Sequence, residues 1–163
     1  MQHIKAIETQ YNGYLFRSRL EARWAVFFDA MGIKYDYEPE GFELEDGSRY
    51  LPDFFLPKFH YGGIFTEVKP PGDPFLRTRK FSQYLSHPIL LLPGPPNLLI
   101  YELIIQRPGI CSFPVCFDAD ENLGQLFHFP LEFTIGQELN EPSWADTQAY
   151  VSIHKSRQAR FDT

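Results

Sequence analysis

The chain has 163 residues, a length that suits one domain with its own core, here residues 1–163. Its 44% hydrophobic and 22% charged residues are typical of a globular protein and exclude a disordered or membrane-embedded chain. The net charge of −6 argues against a protein that coats nucleic acid by bulk charge, although an enzyme that contacts a few phosphates is compatible with it.

Targeting and membrane signals are missing from the sequence. Residues 1–10 are polar and do not resemble a signal peptide. The longest apolar run, residues 88–93, is too short to cross a bilayer. We therefore expect a cytoplasmic protein with no membrane partner.

The first predicted element is a helix over residues 17–31. Its apolar residues recur at helical spacing, namely Leu20, Trp24, Phe27, Phe28 and Met31. Ser18 is the expected N-cap, with Glu21 three residues later as in a capping box. Gly32 is the expected glycine that ends the helix.

Short strands are predicted next, and turn residues separate them. Asp46-Gly47 indicates a hairpin turn, and Pro70-Pro71-Gly72 stops the strand before it. The predicted strands cover residues 34–38, continued by 41–44, then residues 49–56 and 64–69.

The second half of the chain alternates between helix and strand patterns. A helix over 73–86 is followed by a wholly apolar run at 88–92, which is typical of a central strand buried on both faces. Further strands are predicted at 98–105 and 123–129, and a closing helix at 143–160. This order indicates an α/β sandwich with a mixed β-sheet.

Two short motifs carry the candidate chemistry. Pro52-Asp53 lies inside the strand 49–56, and Glu67-Val68-Lys69 ends the strand 64–69. The two strands are close enough in sequence to pair. Because residues i and i+2 share a face of a strand, Glu67 and Lys69 project together while Val68 points into the opposite layer.

These residue types suit the hydrolysis of a phosphodiester. Asp53 and Glu67 offer carboxylate oxygens to a hard cation, Mg²⁺ or Mn²⁺, and the main-chain carbonyl of Val68 could be a further ligand. Lys69 could orient or deprotonate a water, or stabilise charge on a phosphate. The alternative is a turn dipeptide beside a solvated ion pair, and the residues alone leave the two interpretations level.

The layout of these motifs resembles the PD-(D/E)xK nuclease superfamily. The resemblance rests on residues 16–25 (FRSRLEARWA), 37–40 (YEPE), 50–54 (YLPDF) and 65–69 (FTEVK). It covers about residues 14–92. Within the superfamily, the layout resembles that of small phage and bacterial nucleases and of the nuclease subunits that cut at transposon ends. The strands and helix at 97–160 are not covered.

This resemblance implies a restriction-endonuclease-like fold, in which helices flank a central mixed β-sheet. It also implies that Asp53 and Glu67 bind the metal and that Lys69 is the catalytic lysine. Glu21 matches an acid on the first helix that completes the metal site. A capping box, or a surface pair with Arg17, is the other interpretation of Glu21, and both roles are compatible.

The expected activity is that of a Mg²⁺-dependent DNA endonuclease of phage or mobile-element type. The expected partners are DNA and either a second copy of the chain or a recognition protein. Two alternatives stay open: an exonuclease or RNase on the same fold, and a non-catalytic domain that binds nucleic acid or a partner.

Several basic and polar residues outside the motifs are candidates for binding nucleic acid. Lys80 and Gln83 lie on the helix after the motif, where the family often contacts phosphates, and a solvated face explains them equally well. Lys155, Arg157 and Arg160 give a basic face, for which a solvated tail is the alternative. The aromatic residues of the strands favour core packing over base stacking; they are Tyr35, Tyr37, Phe42, Tyr50, Phe54 and Phe55.

Overall fold

The structure, a computed structural model, describes residues 6–59, 62–96, 101–107, 109–117, 126–128, 155–156 and 158–161. Its helices are α1 (Arg19–Ala30) and α2 (Leu76–Phe81), which a short 3-10 helix (Ser82–Tyr84) extends. None of the helices in this part of the chain is long and apolar enough to traverse a bilayer. The strands are β1 (Thr9–Tyr11), β2 (Tyr14–Phe16), β3 (Asp36–Tyr37), β4 (Phe42–Glu43), β5 (Arg49–Tyr50), β6 (Phe54–Leu56), β7 (Ile64–Lys69), β8 (Ile89–Pro93), β9 (Tyr101–Arg107), β10 (Gly109–Phe117) and β11 (Leu126–His128).

A mixed sheet of seven strands forms the centre of the fold. The strands are ordered β11-β10-β9-β8-β7-β6-β3, and β7 and β8 are parallel while the other neighbours are antiparallel. Helix α2 lies in the connection between the two parallel strands. Two separate hairpins, β1-β2 and β4-β5, complete the described strands. The fold is therefore α/β with a mixed sheet, as the sequence predicts.

The two faces of the sheet carry different hydrophobic clusters. Helix α1 packs on one face, where Val68 and Leu90 are buried against Trp24 and its neighbours. The other face buries Phe65 and Leu91 together with residues of α2 and of the β4-β5 hairpin. Side chains alternate between the faces along β7 and β8. The predicted burial of β8 on both faces is confirmed.

The caps of α1 agree with the sequence. Ser18 is the N-cap and its hydroxyl accepts the N–H of Glu21 at 3.2 Å. At the other end, Gly32 has a φ of 68° and donates to Asp29, while Ile33 donates to Phe28. These two bonds satisfy carbonyl groups of the last helical turn. They require the positive φ at position 32, which a residue with a Cβ would adopt only with strain.

The predicted strand over residues 49–56 is wrong as a single element. It is divided into β5, which pairs with β4, and β6, which belongs to the central sheet. The division falls at residues 51–53, where Pro52 has no N–H to donate to a ladder. The predicted segment 34–38 is reduced to β3, and 41–44 does not continue it but forms β4 in the separate hairpin.

Other predicted bounds need correction in the second half. The helix predicted over 73–86 begins only at Leu76, because Phe75 is held at a φ of 52° while its N–H donates to Asp73 Oδ1. Strand β9 overlaps the predicted strand 98–105 and extends to Arg107, and β11 lies within the predicted strand 123–129. Most of the predicted helix 143–160 lies outside the described residues. Hairpin β1-β2 and strand β10 were not predicted.

Candidate active site

Asp53 lies where the ladder between β6 and β7 ends. The last paired residues are Phe54 and Thr66, and Asp53 adds one more main-chain bond, from its N–H to Thr66 O at 3.2 Å. The next N–H of β7 on the side of β6 is that of Val68, and it donates to Asp53 Oδ2 at 2.7 Å. A side-chain carboxylate thus takes the place of a main-chain acceptor, and the two strands open around it.

Glu67 and Lys69 face the same opening from β7. Lys69 Nζ is in direct contact with Glu67 Oε1 and lies 4.0 Å from Asp53 Oδ2. The side chain of Val68 is buried on the opposite face with α1. The predicted convergence of Asp53, Glu67 and Lys69 is therefore confirmed, and the two carboxylates already share one cation, the ammonium of Lys69.

Glu21 reaches the site from the first turn of α1. Its Oε1 accepts from the Ser18 hydroxyl and its Oε2 from the Tyr37 hydroxyl, each at 2.7 Å. The main-chain N–H of Arg17 also donates to Oε2, at 3.1 Å. The Ser18 half of the predicted capping box is confirmed, whereas the Glu21 side chain accepts the N–H of Arg17 rather than that of Ser18. The role of Glu21 as a metal ligand stays a prediction.

Arg17 closes the site on the side of α1. Its Nη2 donates to Asp53 Oδ1 at 2.8 Å, and its Nε pairs with Glu38 Oε1. The surface pair of Arg17 with Glu21 is not what the structure shows, since the two meet through the main chain of Arg17. Four acids, Glu21, Glu38, Asp53 and Glu67, thus lie around two cations, Arg17 and Lys69.

Tyr50 holds the second oxygen of Glu67. Its hydroxyl lies 2.5 Å from Glu67 Oε2 and 3.0 Å from Thr78 Oγ1. Because a carboxylate only accepts, the phenol donates to Glu67 and accepts from Thr78. The ring of Tyr50 stacks on Phe81 with centroids 3.9 Å apart. Helix α2 therefore fixes the orientation of Glu67 through Tyr50.

The main chain of Lys69 is also fixed. Its carbonyl accepts the N–H of Gly94 at 2.7 Å, and the carbonyl of Gly94 accepts the indole N–H of Trp24 at 2.9 Å. Trp24 is fully buried on α1. This relay connects the end of β7, which carries Lys69, to the residue after β8 and to α1.

Burial controls the charge of Asp53. Desolvation, together with the negative charge of Glu67, raises the pKa of Asp53 to about 8, although Lys69 and the Val68 N–H oppose the shift. Burial also disfavours the ammonium of Lys69, but the carboxylates of Asp53 and Glu67 outweigh it and raise the pKa of Lys69. The ammonium form of Lys69 is therefore favoured, and the charge of Asp53 is costly unless the cations beside it compensate.

The donor set fits a small hard cation. Within the described ranges, no three His, Cys, Asp or Glu side chains converge to hold a metal ion by themselves. Mg²⁺ commonly uses one or two protein carboxylates and takes its other ligands from water and substrate phosphate. Asp53 and Glu67 supply two carboxylates that converge on Lys69. Because both side chains are buried, their negative charges are costly, and a bound divalent cation would lower that cost.

The residues proposed to bind nucleic acid are scattered. Lys80 on α2 is exposed and pairs with Asp46 in the β4-β5 turn. Gln83 lies in the 3-10 helix that follows α2 and is exposed. Lys155 and Arg160 are exposed. The neighbouring Phe161 packs edge-on against Tyr11, with the ring centroids 6.2 Å apart. Arg157 lies outside the described residues.

Sequence reasoning assigned Tyr37 and Tyr50 to core packing and did not give Arg17 a place in the site. The rings do pack, but both hydroxyls bind the acids. A signal was available, because a tyrosine whose ring is buried usually brings a polar partner for its hydroxyl. The pairing of Arg17 with Asp53 spans 36 positions and has no such local signal.

No protein-family model, curated protein or solved structure matches this chain. The resemblance of residues 14–92 to PD-(D/E)xK nucleases therefore stays a prediction from the sequence. The function has to be argued from the chemistry of Asp53, Glu67 and Lys69 and of the residues that hold them.

Proposed function

We propose that the protein is a Mg²⁺- or Mn²⁺-dependent nuclease of the PD-(D/E)xK kind, built on a restriction-endonuclease-like sandwich and acting as a DNA endonuclease. The observation that carries this proposal is the placement of Lys69, in contact with Glu67 and 4.0 Å from Asp53, at the opening between β6 and β7. A solvated surface pair does not require a second, buried acid at the same ammonium. Here Asp53 is 2% exposed.

In this proposal Asp53 and Glu67 hold the cation, with the Val68 carbonyl and Glu21 as further ligand candidates. A divalent cation there would neutralise charge on the phosphate and make a water more acidic. Tyr50 keeps one oxygen of Glu67 in place, and the Val68 N–H orients Asp53. The protein therefore presents its two carboxylates in a preorganised arrangement, as efficient electrostatic catalysis needs.

Lys69 acts as an ammonium rather than as a base. Its neighbouring carboxylates favour the protonated form, so it is able to bind and stabilise the charge that develops on the phosphate. Of the roles open from the sequence, deprotonation of a water is the one that this electrostatic setting disfavours. The side chain is 34% exposed, so it faces both the buried acids and an incoming substrate.

A cleavage screen tests the proposal. Single-stranded, double-stranded and branched DNA and RNA are incubated with the parent chain in Mg²⁺, Mn²⁺, Ca²⁺ or EDTA. We expect cleavage in Mg²⁺ or Mn²⁺, little turnover in Ca²⁺ and none in EDTA. Asp53→Asn should lose nearly all cleavage, whereas Asp36→Asn, an exposed acid on β3, should cleave as the parent does. Full activity in EDTA would overturn the mechanism.

The same screen separates the related activities. Cleavage that releases mononucleotides from ends identifies an exonuclease, and preference for RNA identifies an RNase on this fold. A chain that binds nucleic acid equally well with and without Mg²⁺, and with and without Asp53, is a binding domain and not a nuclease. Size-exclusion chromatography with light scattering, with and without DNA, decides whether a second copy of the chain is the partner.

A further inference from the structure

The guanidinium of Arg17 pairs with two carboxylates of different burial. Its Nη2 donates to Asp53 Oδ1 at 2.8 Å, and its Nε is in ion-pair contact with Glu38 Oε1. The side chain of Asp53 is 2% exposed, that of Glu38 is 26% exposed and that of Arg17 is 51% exposed. Arg17 thus connects the buried centre of the site with its solvent edge.

Asp53 Oδ1 is the oxygen on which a cation would compete with Arg17. The other oxygen, Oδ2, accepts the Val68 N–H at 2.7 Å and faces Lys69 at 4.0 Å. A divalent cation that approaches Oδ1 meets the positive charge of the guanidinium, and the two repel each other strongly at such short range. Full access to Asp53 therefore requires that the Arg17 side chain moves.

The anchoring of Arg17 permits that movement. Its main-chain N–H donates to Glu21 Oε2 at 3.1 Å and to the Tyr37 hydroxyl at 3.0 Å, so the start of α1 does not depend on the side chain. Glu38 Oε1 lies close to Nε without the alignment of a hydrogen bond. The guanidinium is therefore able to leave Asp53 while Glu38 keeps it beside the site.

We propose that Arg17 is a substrate-binding residue: its guanidinium pairs with Asp53 until a divalent cation takes that carboxylate, and it then binds the phosphate group of the substrate. This inference rests on the proposed function. A guanidinium offers two parallel N–H donors that match the oxygens of a phosphate. In this exchange the positive charge of Arg17 passes from Asp53, which the divalent cation would then neutralise, to the phosphate group of the substrate.

Mn²⁺ binding to the chain without nucleic acid, followed by electron paramagnetic resonance, tests the first half of the exchange. Arg17→Gln should bind Mn²⁺ at least about tenfold more tightly than the parent, because it removes the competing charge. Arg19→Gln is the matched control, since it removes an equal charge from an exposed position on α1, and it should change the affinity less than about threefold. Unchanged or weaker binding by Arg17→Gln would overturn the inference.

Binding of a short DNA duplex and of its single strand in saturating Ca²⁺ tests the second half. Arg17→Gln should lose at least about tenfold in affinity for the better probe, and Arg19→Gln should stay within about threefold of the parent. If Arg17→Gln does not fold, Arg17→Met replaces it, because it also removes the positive charge and keeps an unbranched side chain. Tighter Mn²⁺ binding with weaker DNA binding supports the inference for either variant, and parent-like values for both overturn it.

These measurements also separate the inference from the proposed function. If neither the parent nor Arg17→Gln binds Mn²⁺ or the DNA probes, both the proposed function and the inference fail. If the parent binds Mn²⁺ and DNA, and Arg17→Gln behaves like Arg19→Gln, only the inference fails.

Discussion

Asp53 and Val68 are joined by a hydrogen bond of 2.7 Å, from a main-chain N–H of the central sheet to a side-chain carboxylate. This bond gives Asp53 a structural task in addition to its proposed catalytic one. The orientation of the carboxylate is set by the backbone of β7, which is also the strand that carries Glu67 and Lys69. The choice of substitution at Asp53 therefore decides whether an experiment reports on folding or on catalysis.

We expect Asp53→Ala and Asp53→Asn to differ in stability. Alanine leaves the buried N–H of Val68 without an acceptor and should lower the free energy of unfolding by about 1–3 kcal/mol. Asparagine keeps an acceptor for the Val68 N–H and relieves the repulsion with Glu67, but it weakens the pairing with Arg17, so its stability should lie above that of Asp53→Ala. Urea unfolding of the three proteins in EDTA measures the difference. Equal stabilities for the two variants would show that the Val68 bond contributes nothing.

Asp53 should also make stability depend on pH. Burial and the charge of Glu67 raise its pKa to about 8 in the folded protein, against about 4 in an unfolded chain. Between these values the folded state binds the extra proton, so the contribution of Asp53 to stability is full below about pH 4 and falls as the pH rises to about 8. In EDTA, Asp53→Asn should show a smaller fall than the parent, and Asp36→Asn should follow the parent. Identical slopes for Asp53→Asn and the parent would rule out the raised pKa.

We expect Tyr50 to fix the orientation of the Glu67 carboxylate rather than to change the charge of Glu67. Tyr50→Phe keeps the stacked ring but leaves Glu67 Oε2 and Thr78 without their shared partner. We expect a loss of about 1–3 kcal/mol in unfolding free energy and a several-fold loss in both Mn²⁺ affinity and cleavage. Tyr84→Phe is the control, because Tyr84 is an exposed tyrosine of the adjoining 3-10 helix. Cleavage by Tyr50→Phe at the rate of Tyr84→Phe would contradict this role.

Local signals explain which parts of the fold could be predicted. The Ser18 and Gly32 caps fix α1, and the Pro-Pro-Gly sequence ends β7 at Lys69. The Asn12-Gly13 turn is an equally local signal, and it marks the hairpin β1-β2. In contrast, Pro52 marks where β5 and β6 divide, but the strand with which each half pairs depends on other parts of the chain, and no single segment encodes that choice.

The candidate site shows the same contrast. Asp53, Glu67 and Lys69 could be grouped from strand periodicity and chain order, because their neighbours in space are near in sequence. The contacts of Arg17 with Asp53, and of Tyr50 with Thr78, join positions 36 and 28 residues apart. They arise only when α1 and α2 have packed on the sheet, so the sequence did not reveal what holds the acids in place.

Lys69 offers the sharpest separation of catalysis from folding. A lysine at the end of a strand is expected to be partly solvated, so that its removal would barely change stability, or would raise it if its carboxylate contacts were few. The structure instead places its ammonium against Glu67, whose side chain is 5% exposed, with Asp53 4.0 Å away. Removing one partner of such a pair leaves a buried charge without compensation.

We therefore expect Lys69→Met to lower the free energy of unfolding in EDTA by about 1–3 kcal/mol, a value below that of a fully buried pair because Lys69 is one-third exposed. Lys69→Arg should restore most of the stability, since it keeps the positive charge. In Mg²⁺, Lys69→Met should lose about a hundredfold or more in cleavage of the best substrate, while Lys69→Arg should retain measurable cleavage if charge rather than proton transfer is what matters. Thermal unfolding identifies a temperature at which all three proteins are folded, and cleavage is compared there. If folded Lys69→Met cuts as fast as the parent, Lys69 only supports the fold and its assignment as the catalytic lysine is wrong.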